Sequence, residues 1–180
     1  TINKNDTTVY YAIYGGGSDS GITNNSKINI NSSSARNIYG GGNNGAVTIN
    51  STINLSGNSL IYGAIYGGGN NANIGTESSK GTTTINIAGG RIRGDVNGGG
   101  CKGIVYGTTN INIGKNAVTT NNLTQDAIEI TGYIYGAGAG ENYENRDLAI
   151  YQSSGETEGE KIKYDYNTKT VIGNTSITID

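Results

Sequence analysis

The residues of this chain that could do chemistry are few. Cys101 is the single cysteine and histidine is absent, so neither a Ser-His nor a Cys-His nucleophile can be assembled. The phrases AIYGGGSD (12–19), NIYGGGNN (37–44), AIYGGGNN (64–71), DVNGGGCK (95–102) and YIYGAGAG (133–140) look at first like phosphate-cradling loops. A phosphate loop needs G-x-x-x-x-G-K-[S/T] opening a helix whose first amides face the anion, and the chain has neither that phrase nor a helical pattern after its glycines. Asp19, Glu77, Asp95 and Asp126 fall in different registers, so the carboxylate cluster of a polysaccharide-cleaving site is not expected. Arg93-Gly94-Asp95 spells the integrin tripeptide, but it aligns with Tyr62-Gly63-Ala64 inside a strand pattern and not with a protruding loop. The Asn-x-Ser/Thr triplets, among them Asn50-Ser51-Thr52 and Asn54-Leu55-Ser56, follow from a composition rich in those residues.

Composition sets the bounds around these residues. The 180 residues fit one domain, and 31 glycines with no Pro, Phe, Trp or Met exclude an ordinary aromatic-centred core. A net charge of −2, with charged residues at 14%, gives no basic footprint, so nucleic acid is not an expected partner. Apolar runs are a few residues long, far short of the roughly 20 a membrane-spanning helix needs. Ile, Val, Leu and Tyr instead occur in short β-like runs.

A repeat positions everything else. The T-I-N-I phrases place Ile2, Ile28, Ile53, Ile85, Ile111 and Ile177 at equivalent positions, and the glycine clusters follow Tyr14, Tyr39, Tyr66, Asn97 and Tyr135. The Ile-to-Tyr spacing is 12, 11, 13 and 12, and the spacing onward to the next Ile is 14, 14, 19 and 14, giving a unit of about 26 residues. A third apolar position, Ile22, Val47, Ile74 and Val105, lies eight residues beyond the Tyr column. Three short strands per unit with no helical pattern predict an all-β fold, a right-handed parallel β-helix or solenoid with insertions in its last coils. Ile28 with Ile30, Ile53 with Leu55, Ile85 with Ile87 and Ile111 with Ile113 should face inward, as should the I-x-G-x-I strands around Gly63, Gly94 and Gly132. Glycine at the corners is expected to supply φ > 0, with Asn the next most tolerant residue. Asn3, Asn29, Asn54, Asn86 and Asn112 should form an outward amide ladder, either purely stabilising or a flat water-ordering face.

The IYGGGNN corners and T-x-I-N-I strands resemble the Gly/Asn-rich parallel β-helical repeats of prokaryotic cell-surface proteins, the adhesin-like and autotransporter-passenger-like group, over residues 1 to about 140 and again at 174–180. The resemblance implies extracellular or cell-surface display, an adhesive or structural role and no cofactor; no enzyme activity is expected, on the residue grounds given above. Candidate binding residues are the outward tyrosines Tyr14, Tyr39, Tyr66 and Tyr135, which could stack on sugars or only on each other. A second candidate is the acidic tip Glu156, Glu158 and Glu160, in a β-hairpin-like insertion. The expected organisation is one domain with solenoid repeats at 1–139, the insertion at 140–173 and a final strand at 174–180. Expected partners are surface glycans, host matrix or the chain itself, since solenoid ends offer unpaired strand edges for end-to-end stacking into a filament. A chain that begins and ends inside a repeat phrase reads either as a piece of a longer β-helix or as such a filament subunit. A glycan-binding or polysaccharide-active β-helix is the second alternative.

Overall fold

The computed structural model describes residues 9–115, 117, 118, 124, 126–139 and 171–180. In chain order the strands begin with β1 (Val9–Tyr14), β2 (Thr23–Asn31), β3 (Ser34–Tyr39), β4 (Val47–Ser56), β5 (Leu60–Ile61), β6 (Ile65–Tyr66) and β7 (Gly81–Ile87). They continue with β8 (Gly90–Ile92), β9 (Val96–Asn97), β10 (Val105–Ile113), β11 (Ile128–Ile130), β12 (Ile134–Tyr135), β13 (Val171–Ile172) and β14 (Thr175–Ile179). Every pairing among them is parallel. One sheet runs β2-β4-β7-β10, with β13 and β14 both laid on β10. The other runs from β1 to β3 and then through β5 with β6, β8 with β9, and β11 with β12. No helix among the described residues is long and apolar enough to cross a membrane.

The register follows the repeat. Ile28, Ile53, Ile85, Ile111 and Ile177 are successive partners, as are Ile30, Leu55, Ile87, Ile113 and Ile179. With Ile38, Ile61, Ile65, Ile92 and Val96 of the facing sheet, the middle rungs of these columns make one dry core. Burial of an aliphatic side chain contributes about 1.5–3 kcal/mol, and this repeated contribution is what offsets the ordering entropy of a glycine-rich chain.

Three features depart from the expected coil. The third apolar position does not usually make a strand of its own: Val47 and Val105 start β4 and β10, which run on into the T-I-N-I phrases. Six residues separate each of them from the following Ile53 or Ile111, and extended backbone covers that distance unbroken. At Ile74 the longer spacing includes Gly75 at φ 72°, so Ile74 keeps only isolated bridges to Val47 and Val105. Val171 joins the same small core. Ile22, expected in this column, is instead 72% exposed, because Thr23 pairs with Val47 and the register shifts between Thr23 and Asn25. The I-x-G-x-I strand is also broken. Ala35 and Ile38 are three residues apart where their partners Ile61 and Ile65 are four apart, and the extra residue splits β5 from β6 at Gly63. The Asn37 side chain accepts the Ala64 N–H at 2.9 Å across this bulge.

The glycine clusters turn corners, but not for the expected reason. None of Gly15–Gly17, Gly40–Gly42, Gly67–Gly69 or Gly98–Gly100 has a positive φ; among the described residues the left-handed glycines are Gly57, Gly75, Gly90, Gly107, Gly114 and Gly173. What the clusters need is room. A Cβ on Gly40 would collide with the Ser51 hydroxyl and the Gly67 carbonyl oxygen, and one on Gly67 with the Gly98 carbonyl oxygen. The clusters stack backbone on backbone, with Gly40 N–H donating to Tyr66 O at 2.8 Å and Gly41 N–H to Gly68 O at 3.1 Å. Inward hydroxyls from the opposite sheet complete the arrangement: Ser51 donates to Gly67 O, Thr83 to Gly98 O and Thr109 to Gly136 O, each at 2.6 Å. These three hydroxyl residues are fully buried.

The asparagine ladder forms from Asn29 to Asn112; Asn3, its expected first rung, lies outside the described residues. Asn54 Nδ2 donates to Asn29 Oδ1 at 2.7 Å, Asn86 to Asn54 at 2.9 Å and Asn112 to Asn86 at 2.9 Å. Its middle is not a water-facing surface, however: Asn54 is 3% exposed and Asn86 is fully buried. Each amide satisfies the next, which removes most of the penalty of burying it.

Candidate functional site

The tyrosines expected to form a binding strip lie on one column. Tyr14 pairs with Tyr39, Tyr39 with Tyr66, Tyr66 with Asn97 and Asn97 with Tyr135. In-register parallel strands set successive rings about 4.8 Å apart, close to contact for flat rings. The Tyr14 and Tyr39 centroids are 4.9 Å apart at an interplanar angle of 11°, and Tyr39 and Tyr66 are 5.1 Å apart at 8°. Tyr14, Tyr39 and Tyr66 thus stack on each other, whereas Tyr135, separated from them by Asn97, does not join the stack. The expectation of an outward strip is corrected for Tyr39 and Tyr66, which are 8% and 3% exposed and pack against Ala64, with Ala12 and Cys101 at the margin. Their faces are occupied, so no sugar ring can stack there. Tyr14 keeps an exposed flank, and Tyr135 is half-buried with its ring 6.1 Å from Tyr133 and tilted by 47°. Glu156, Glu158 and Glu160, and with them residues 140–170 of the expected insertion, lie outside the described residues.

Asn97 interrupts the column. It is fully buried, its amide donates to Ile65 O at 3.4 Å, and its Oδ1 has no hydrogen-bond partner among the described residues. Beside it, Cys101 occupies the slot after the triple glycine. Its N–H donates to Gly69 O at 2.9 Å, the bond that Asn43 makes to Gly17 and Asn70 to Gly42 in the preceding repeats. Burial pushes the Cys101 thiol above its ordinary value, outweighing a hydrogen bond with Tyr66 and the charge of Lys102. A thiol held protonated is a poor nucleophile.

Arg93-Gly94-Asp95 lies not inside a strand, as its alignment suggested, but in the break between β8 and β9, where it is tied to neighbouring repeats. Gly94 N–H donates to Gly63 O at 3.1 Å, and Asp95 Oδ1 accepts the Tyr133 N–H at 2.9 Å. The tripeptide is therefore not a protruding loop. Asp19, Glu77 and Asp126 are exposed; Asp126 accepts the Gly57 N–H at 3.1 Å. No group of three His, Cys, Asp or Glu among the described residues is placed to hold a metal ion.

The structure adds a column that sequence reasoning missed. One residue beyond the Tyr10–Ala35, Ala35–Ile61 and Ile61–Ile92 partners stand Tyr11, Arg36, Tyr62 and Arg93, all exposed. The Arg36 guanidinium lies 5.2 Å from the Tyr11 ring centroid, and Arg93 lies 5.2 Å from that of Tyr62. Clefts of about 550 Å³ and 500 Å³ flank the column, both lined by Arg36 and Tyr62, the first also by Tyr11 and the second by Asp95 and Cys101. The alignment of Arg93 with Tyr62 was the available signal; extending it to Arg36 and Tyr11 reveals the alternation. Comparison with protein-family models, with curated proteins and with solved structures finds no match for the chain.

Proposed function

We propose that this chain is a structural or adhesive segment of a prokaryotic extracellular surface protein, built as a right-handed parallel β-solenoid. The hand is the one parallel crossover connections adopt. The observation that carries the reading is the in-register stacking of like residues, Ile on Ile, Asn on Asn and Gly on Gly, through successive repeats. Such a body is stiff along its axis and spends its interior on self-stacking, leaving its outer faces for contact. The absence of histidine from the sequence and the protonated state favoured for Cys101 support a non-enzymatic role. Protease shaving of intact source cells, followed by immunodetection, tests the location: release of chain-reactive fragments is expected, and retention inside the cells overturns it.

A filament subunit is the second reading, and it draws on β14. Ile179 is 61% exposed on a strand that, among the described residues, pairs only with β10, beside a groove of about 440 Å³ lined by Ile113, Ile128, Ile130 and Ile134. Unpaired apolar strand edges recruit further strands. Concentration-dependent filaments of the purified chain in electron micrographs would establish this reading, and a monodisperse monomer at high concentration would end it.

A further inference from the structure

We infer that the Tyr11–Arg36–Tyr62–Arg93 column is a docking surface for a linear anionic polysaccharide, one that carries carboxylate or sulfate groups along its length. The inference rests on the adhesive reading above, yet its test in solution succeeds or fails independently of where the chain is displayed.

The chain as a whole carries −2, but both arginines of this column project from one face, and among the described residues neither has an ion-pair partner. The contrast is Arg91, on the same strand as Ile92, whose Nε meets Glu129 Oε2 at 2.6 Å. Arg36 and Arg93 are instead held by rings. A guanidinium beside a tyrosine ring keeps N–H donors that can match a carboxylate or sulfate in bidentate fashion. The ring contact also restricts the side chains beforehand, which reduces the ordering cost of binding.

Spacing supplies the second part. Arg36 and Arg93 stand two strands apart on the sheet, so they lie about 10 Å apart along the stacking direction. Two cations at that interval suit an extended polymer whose charges recur with a disaccharide-like period. Tyr62 between them and the flanking clefts give a sugar ring apolar and hydroxyl contacts. Single-stranded nucleic acid fits less well. It needs free aromatic faces for its bases and a continuous basic track for its phosphates, whereas here the arginines cap Tyr11 and Tyr62, and Asp95 lines the neighbouring cleft.

The test is affinity electrophoresis of the full chain through gels containing polygalacturonate, dextran sulfate or unmodified dextran, with competition by oligothymidine. Retardation by polygalacturonate, dextran sulfate or both, weakened by salt and absent with dextran, is the expected result. The R36Q/R93Q double variant should lose roughly a hundredfold in affinity, as expected for removing two charge-assisted contacts. K27Q/K80Q, which removes the same charge elsewhere on the surface, should bind as the parent does. All four side chains are exposed, and unchanged melting would show that each variant is folded. Four results would each overturn the inference: no retardation by either anionic polymer, equal retardation by dextran, equal loss in the lysine variant, or preferential binding of oligothymidine.

Discussion

Replacing Thr83 with valine tests whether the buried hydroxyls hold the glycine corners. The substitution preserves shape and volume while deleting the hydroxyl that donates to Gly98 O at 2.6 Å. No backbone N–H among the described residues donates to that carbonyl, and Thr83 is fully buried, so water cannot replace the lost donor. An unsatisfied buried carbonyl costs about 1–3 kcal/mol, and the extra methyl recovers little of it because the surrounding backbone is already in contact. The control is Thr84→Val on the next residue of β7, which faces the other way and is half-buried; about 0.5 kcal/mol or less is expected there. Urea denaturation followed by far-UV circular dichroism gives both values. The reasoning fails if Thr83→Val is no more destabilising than Thr84→Val.

Other perturbations probe the remaining columns. Gly67→Ala should prevent folding or cost more than Thr83→Val, since its Cβ would collide with the backbone of the next repeat; soluble yield and melting temperature report it. Asn86→Leu removes both the donor to Asn54 and the acceptor for Asn112, and should destabilise by about 2–5 kcal/mol in the same urea assay, the two rungs each leaving a polar group unpaired. The Cys101 thiol, raised by burial above its ordinary value of 9.0, should alkylate more slowly at neutral pH than a free cysteine. Because its folded pKa is the higher one, the folded state holds the proton longer. Its contribution is therefore present below pH 9 and declines as pH rises beyond it, and Cys101→Ala should flatten that alkaline slope in pH-dependent melting.

Much of the fold is legible in the sequence, because the repeat writes lateral neighbours into the chain at a fixed interval. The pairings of Ile53 with Ile85, Asn54 with Asn86 and Tyr39 with Tyr66 follow from aligning phrases. The alternation of Ile and Asn likewise tells which residues share a face. Burial of the outward columns is not legible. Tyr66 and Asn86 have polar side chains pointing away from the isoleucine core, and contacts with neighbouring repeats, ring against ring and amide against amide, help remove them from water. The same applies to the glycine clusters, whose need arises from carbonyls and hydroxyls of other repeats and not from their own φ. The Tyr11–Arg36–Tyr62–Arg93 column depends on one more thing, the extra residue that splits β5 from β6 after Tyr62, so that Arg36 and Tyr62 align although the spacing beyond them differs. Local sequence therefore determined which residues form strands and which recur. The tertiary structure decided which of them meet water, since that depends on contacts made along the stacking direction, across roughly 26 residues of chain.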